Sequence, residues 1–273
     1  MQNNVQLTQR GGGANPSYQP LKRLTSSIFY GSLVLTTLLT NVNADDITIT
    51  QPQNNNVSIQ SGQNKDNIIV ESGGSIIVNN QSVVAIENKG TINQSIHIKD
   101  GATLTGGTNT TGNSFYVSIH NNSGTIGDIK IDKGAILNGG IMNYARLMGG
   151  RSTVKGDIEV AGTINGTNIG IQNSFGTIEG NVLVKETGKL TGNIWNQDRI
   201  QGKVEVNGYL DGSIVNRNNN SQSYIGENII VGSGGNVTKD IRNEGTIEKG
   251  IIIEKGGVVA GSINNTGKIN QNG

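Results

Sequence analysis

An Ile-x-Asn triplet returns eight times along this chain, always at the same point of a longer pattern. Its asparagines are Asn88, Asn121, Asn143, Asn173, Asn196, Asn216, Asn243 and Asn265, and an isoleucine stands two residues before each. The steps between them are 33, 22, 30, 23, 20, 27 and 22 residues, so the base period is near 22 with occasional insertions. Self-similarity at such a period marks a solenoid, in which each repeat is one coil stacked on its neighbours. A protein built this way is first of all a long surface.

One repeat reads Ile-x-Asn, a short turn, Gly-Thr-Ile, a glycine, Ile-x-Ile, a second glycine turn, then Leu-x-Gly-x-Ile-x-Asn again. The spacing predicts inward residues at Ile92, Ile126, Leu147, Ile178, Ile200, Ile225, Ile247 and Ile269 on the first strand. On the second it predicts pairs such as Ile96/Ile98, Ile129/Ile131 and Val182/Val184. On the third it predicts Ile136/Ile141, Ile164/Ile169, Leu190/Ile194 and their equivalents. Alternation over a few residues broken by glycine is strand spacing, since a helix needs apolar residues three and four apart over longer runs. β-Branched residues dominate these positions, as pleated half-buried surfaces prefer. Three short strands per period fit an all-β, right-handed parallel β-helix, each strand bonding to its equivalent in the next coil about 4.8 Å away. The asparagines then stack at one corner, where each amide donates to one neighbour and accepts from the other. Asparagine also tolerates the left-handed backbone that a sharp corner can need. These eight residues are expected to be scaffold.

Composition qualifies this picture at the edges. Glycine is abundant (41 of 273 residues), cysteine is absent and the formal net charge is +1. No basic stripe exists to displace counterions from a polyanionic helix, which argues against a nucleic-acid partner. Without thiols there is no disulfide, thiolate zinc site or thiol nucleophile, and no cofactor is expected. Residues 1–44 read as an export segment: Arg10, Lys22 and Arg23 precede an apolar run over 28–39, followed by Val42-Asn43-Ala44. That run is too short to span a bilayer, which takes roughly 20 residues. Residues 45–85 are expected to hold an N-terminal cap and irregular first coils, with Pro52 in a polar stretch over 45–66. Residues 86–273 hold the regular β-helix. The last residues, from Gly267, begin another coil, so a partner covers this edge or the chain is a truncated form.

The long leader, the missing cysteines and the glycine- and asparagine-rich repeat Gly-Thr-Ile-x-Gly-x-Ile-x-Ile…Gly-x-Ile-x-Asn, seen at 124–143 and 245–265, resemble the passenger of a bacterial autotransporter. The resemblance covers roughly 45–273. It implies a Gram-negative, exported, adhesin-like β-helix that reaches the cell surface or medium through an outer-membrane β-barrel translocator. No barrel-forming run follows in this sequence, so without a separate barrel the implied location is the periplasm. The implied partners are a host-cell surface protein or a glycan, with self-association through the C-terminal edge as an alternative.

Few residues recommend themselves for catalysis. His97 and His120 lie between inward positions and should face solvent. Asp128 and Asp157 stand at equivalent places in consecutive coils, where stacked carboxylates could bind a cation or share acid–base work on a glycosidic bond. A polysaccharide-active enzyme is therefore the alternative function, and a toxin-like passenger oligomerising through its open edge is another. The stronger candidates are for binding. The outward residue of each triplet runs Glu87, His120, Met142, Gln172, Trp195, Val215, Arg242, Asn264, apolar at its middle and holding the only tryptophan. Tyr144 and Phe175 adjoin it, and an exposed apolar strip with aromatics suits a glycan ring or a partner protein. The long steps place insertions near 105–118, with Phe115 and Tyr116, at 148–155 with Arg151, and at 217–224 with Tyr224. Loops on a rigid scaffold often carry recognition.

Overall fold

The computed structural model describes residues 45–78, 84–107, 116–145, 150–218 and 223–270. The export segment, Phe115 and Leu147 lie outside them. Every described element is a strand, and every strand pairing is parallel. The strands form two long sheets, of 15 and 16 strands, wound into a β-solenoid. Each coil contributes its Thr-Ile and Ile-x-Ile strands to one sheet and its Leu and Ile-x-Asn strands to the other. The third stretch of the repeat is continuous over Lys189–Asn196 and breaks at Gly212 into Tyr209–Asp211 and Ile214–Asn216.

Register follows the repeat. Ile68, Ile96, Ile129, Ile158, Val182, Val204, Ile229 and Ile251 stack in one column, as do their partners two residues on. From Ile68/Val70 to Ile229/Val231, and together with Ile92, Leu104, Ile126, Leu190 and Leu210, they make one continuous core of aliphatics at or near zero exposure; in the last pair Ile251 is partly buried and Ile253 exposed. A single-residue slip would turn every one of these side chains outward, which is why the register is strongly specified. The ladder begins early in the described region: Ile47–Ile49 pairs with Ile68–Val70, and Val57–Ile59 pairs with Ile86–Asn88. Pro52 opens a strand that pairs on one side only, where its missing N–H costs nothing.

Three inward positions differ from the sequence expectation. Val154, not Leu147, stands between Ile126 and Ile178, because the insertion precedes the first strand of that coil. Leu137 is buried and its neighbour Ile136 is exposed, so the inward phase is one residue later than assigned. Ile171, not Ile169, aligns with Ile141 and Ile194; the strand Thr163–Ser174 carries extra residues and two register shifts that carry Ile169 to the outer side.

The asparagine ladder is present from Asn88 to Asn265. Asn88 Nδ2 donates to Asn121 Oδ1 at 2.9 Å, and the relay continues through Asn143, Asn173, Asn196, Asn216, Asn243 and Asn265 at 2.7–2.8 Å per step. From Asn88 to Asn243 each Nδ2 also donates to a main-chain carbonyl of the next coil, such as Thr153, Thr177 or Tyr224. The amides from Asn88 to Asn243 are at most 2 % exposed, so they meet the rule that buried polar groups must be bonded. In the preceding coil Ile59 takes the equivalent place, and the relay starts at Asn88. A Cβ on Gly124 would sit 2.4 Å from Asn88 Nδ2, and one on Gly176 would sit 2.7 Å from Asn143 Nδ2. The glycine of Gly-Thr-Ile is thus fixed by the packing of the amide column. No ladder asparagine adopts positive φ; among the described non-glycine residues only Ser123 (63°) and Phe175 (50°) do. Asparagine is there for its side-chain amide, since the residue itself ends an ordinary strand.

Candidate functional site

The outward stripe lies on one line, as its register pairs show: Glu87, His120, Met142, Gln172, Trp195, Val215, Arg242, Asn264. Its two halves differ. Met142 is only 5 % exposed and packs with Val84, Val117, Ile169 and Tyr144 in a small second core on the outside of the coil. His120, expected in solvent, is also 5 % exposed; its Nε2–H donates to the Tyr144 carbonyl at 3.1 Å. Extra chain in the coils around it, including the bulged strand with Ile169, covers this part of the stripe. Met142 therefore leaves the set of contact residues. His97 is partly exposed and lies 2.9 Å from Asp132 Oδ2.

The corner beside this second core carries aromatics. The Tyr144 ring lies 6.3 Å from His120, roughly stacked, and meets Phe175 edge-on at 5.9 Å. Phe175 is half exposed at φ 50°, an outlier for a bulky residue. Its cause is local: Phe175 and Ser123 are each one extra residue between a ladder asparagine and the glycine that packs on the column, and each takes the left-handed turn. Tyr116 is exposed as well. Asp198, two residues after Asn196, takes the register place of Gly176 in the next coil and is 7 % exposed. Burial pushes its carboxyl above the usual range, against the lowering influence of Arg151 and Arg199. Arg151 approaches it at 3.9 Å, and Arg199 lies over the Tyr224 ring at 4.3 Å.

The other half of the stripe opens into a groove of about 480 Å³. Trp195 and Val215 line it in adjacent rows, with Asn193, Ser213, Arg217, Lys239, Arg242 and Glu244 around them. The Arg217 guanidinium lies 5.8 Å from the centre of the Trp195 ring, within cation–π range. Its Nε is 4.0 Å from Glu244. Arg242 donates from Nε and Nη2 to Asp240 Oδ2. The Ser262 amide on Asp240 Oδ1, followed by Arg242, holds that carboxyl below its usual range. Trp195 Nε1 is buried and has no acceptor among the described residues. The sequence pointed to Trp195 and Val215; it did not reveal the ring of cations, because Arg217 and Lys239 come from different turns of different coils.

The carboxylate pair has structural work. Asp128 Oδ1 accepts the Asp157 amide at 2.9 Å, Asp157 Oδ1 accepts the Asn181 amide at 2.7 Å, and Asn181 Oδ1 accepts the Lys203 amide at 3.0 Å. Asp128 also pairs with Lys130 at 3.1 Å. A matching relay runs at another corner, where Ser213, Asp240 and Ser262 amides bond to Asn193, Ser213 and Asp240 side chains. Short acceptor side chains thus tie each coil to the next where the strands are interrupted. Among the described residues no group of three or more His, Asp or Glu side chains could hold a metal ion. In comparisons with known proteins, no protein family, curated protein or solved structure matches this chain.

Proposed function

We propose that this chain is an exported, non-catalytic surface-contact protein that holds a ligand on the outer face of its β-solenoid, in the groove lined by Trp195 and Val215. The groove carries the proposal: it combines an aromatic wall, an apolar neighbour and hydrogen-bonding rim groups on strands fixed by the parallel ladder. Preorganised sites of this kind lose little conformational entropy on binding. Phe175, set edge-on against the partly buried Tyr144, and Tyr116 add exposed aromatic side chains elsewhere on the same molecule. The leader over 1–44 and the likeness of 45–273 to autotransporter passengers support export through an outer-membrane β-barrel translocator, with contact to host cells or glycans as the task.

Two measurements test this reading. Beads coated with the protein should adhere to cells or glycan-coated surfaces, and Trp195→Ala should remove most of the adhesion while the protein stays folded. Undiminished adhesion by Trp195→Ala would sink the assignment of the groove. Fractionation of the source bacterium should find the chain outside the cytoplasm and shortened at its N-terminus; an unprocessed cytoplasmic chain would remove the export half of the proposal.

A further inference from the structure

We infer that the Trp195 groove takes an acidic sugar, a carboxylate- or sulfate-bearing saccharide whose ring face lies against Trp195 and Val215 and whose anion meets Lys239, Arg217 and Arg242. The inference rests on the reading of this groove as the contact site and names its ligand class. Three of the eight lining residues are cations and one is an anion. Lys239 is exposed and makes no ion pair with any described residue. Arg217 is held by Glu244 only at 4.0 Å, a solvent-exposed separation at which a pair contributes little. Both cations are therefore available to a ligand. Arg242 has its Nε and Nη2 committed to Asp240, which leaves the remaining guanidinium donors for an incoming oxygen.

The remaining groups favour a saccharide over an acidic peptide. Trp195 and Val215 stand side by side in register-paired rows about 4.8 Å apart, so they offer one flat apolar face. Carbohydrate rings use such faces through their C–H edges while their hydroxyls bond at the rim. Ser213 accepts the Asp240 amide at 3.3 Å and keeps its hydroxyl proton to donate, and Asn193 is beside it. The buried Trp195 Nε1, on a residue that lines the groove, is an unsatisfied donor that a ligand oxygen could satisfy.

Trp195 is the only tryptophan, so its emission reports this groove alone. The full chain is titrated with oligogalacturonate for the carboxylate, a heparin-derived oligosaccharide for the sulfate, cellohexaose as the neutral sugar and poly-glutamate as the acidic peptide. One or both acidic saccharides should change the emission saturably, about tenfold or more tighter than cellohexaose, and should weaken with added salt. Lys239→Gln with Arg242→Gln should weaken them about tenfold, whereas Lys185→Gln, on another face, should not. Glu244→Gln should tighten binding, a gain that a misfolded protein cannot mimic. Equal affinity for cellohexaose, tighter binding of poly-glutamate, or no emission change with any probe overturns the inference. A neutral-sugar response together with adhesion lost in Trp195→Ala rejects the acidic ligand and leaves the contact function standing. An acidic-sugar response with adhesion retained in Trp195→Ala does the reverse.

Discussion

Met142 and Val215 occupy the same outward place, one residue before a ladder asparagine, on one line of register-paired strands. Met142 is buried against Val84, Val117 and Ile169, while Val215 lines an open groove. The coil beneath them is the same: an isoleucine points inward one residue earlier, and a fully bonded amide follows one residue later. Strand alternation fixes the direction of a side chain, but extra chain in neighbouring coils decides whether that direction meets water. The solenoid thus has one interior and two kinds of exterior, and the bare kind holds the candidate site.

If the interior is indifferent to what lies outside it, the ladder should respond equally in both halves. Asn143→Ala removes the amide that bonds Asn173 and the Thr177 carbonyl and also takes the acceptor from Asn121. Asn216→Ala does the same to Asn243, Thr246 and Asn196. Each leaves buried polar groups short of partners and should cost about 3–4 kcal/mol in urea unfolding. A difference between them as large as the cost itself would mean that the padding supports the ladder too. The exterior should separate the halves. Met142→Ala should lose about 2–3 kcal/mol, as buried methionines do, and Val215→Ala less than about 1 kcal/mol. Equal losses would mean that the groove is closed in solution.

The parts of this architecture that repeat were legible in the sequence. The Ile-x-Ile columns recur along the coils and the amide ladder in each coil from Asn88 on, so a misreading at one place is corrected by the next. Legibility failed where the repeat is interrupted. The insertion before Val154 moved the first strand, and the extra residues before Ile171 turned Ile169 into part of a second core. Both apolar residues fit the pattern locally, and only pairing with neighbouring coils tells which is inward. The burial of His120 and Met142 was hidden for the same reason, because what covers them comes from other coils. In the site, Trp195 and Val215 could be read from their phase. Of their cationic surroundings only Arg242 lay on the same stripe; Arg217 stands in the turn after Asn216 and Lys239 takes the glycine place of the repeat, so phase alone did not bring either to the groove.

The turn after each ladder asparagine gives smaller tests of the same contrast. In the padded half Ser123 takes φ 63° and buries a hydroxyl with no partner among the described residues. Ser123→Gly relieves both and should stabilise the protein by about 1 kcal/mol, since its amide bond to Ser152 Oγ is kept.

At the matching turn of the bare half stands Asp198, whose carboxyl is raised by burial more than Arg151 and Arg199 lower it. A raised folded-state pKa favours the protonated acid in the folded protein. The contribution to stability is complete below the ordinary aspartate value of 3.8 and is lost as pH rises through the folded value. Asp198→Asn keeps the shape without the charge and should be more stable than the parent at pH 7. That advantage should shrink toward zero as the pH falls to about 3, where the parent acid is protonated too. Unfolding both proteins in urea at the two pH values checks it. A parent that is the more stable of the two at pH 7 would show that Arg151 and Arg199 outweigh the burial, making this corner an ion-pair site and not a buried acid.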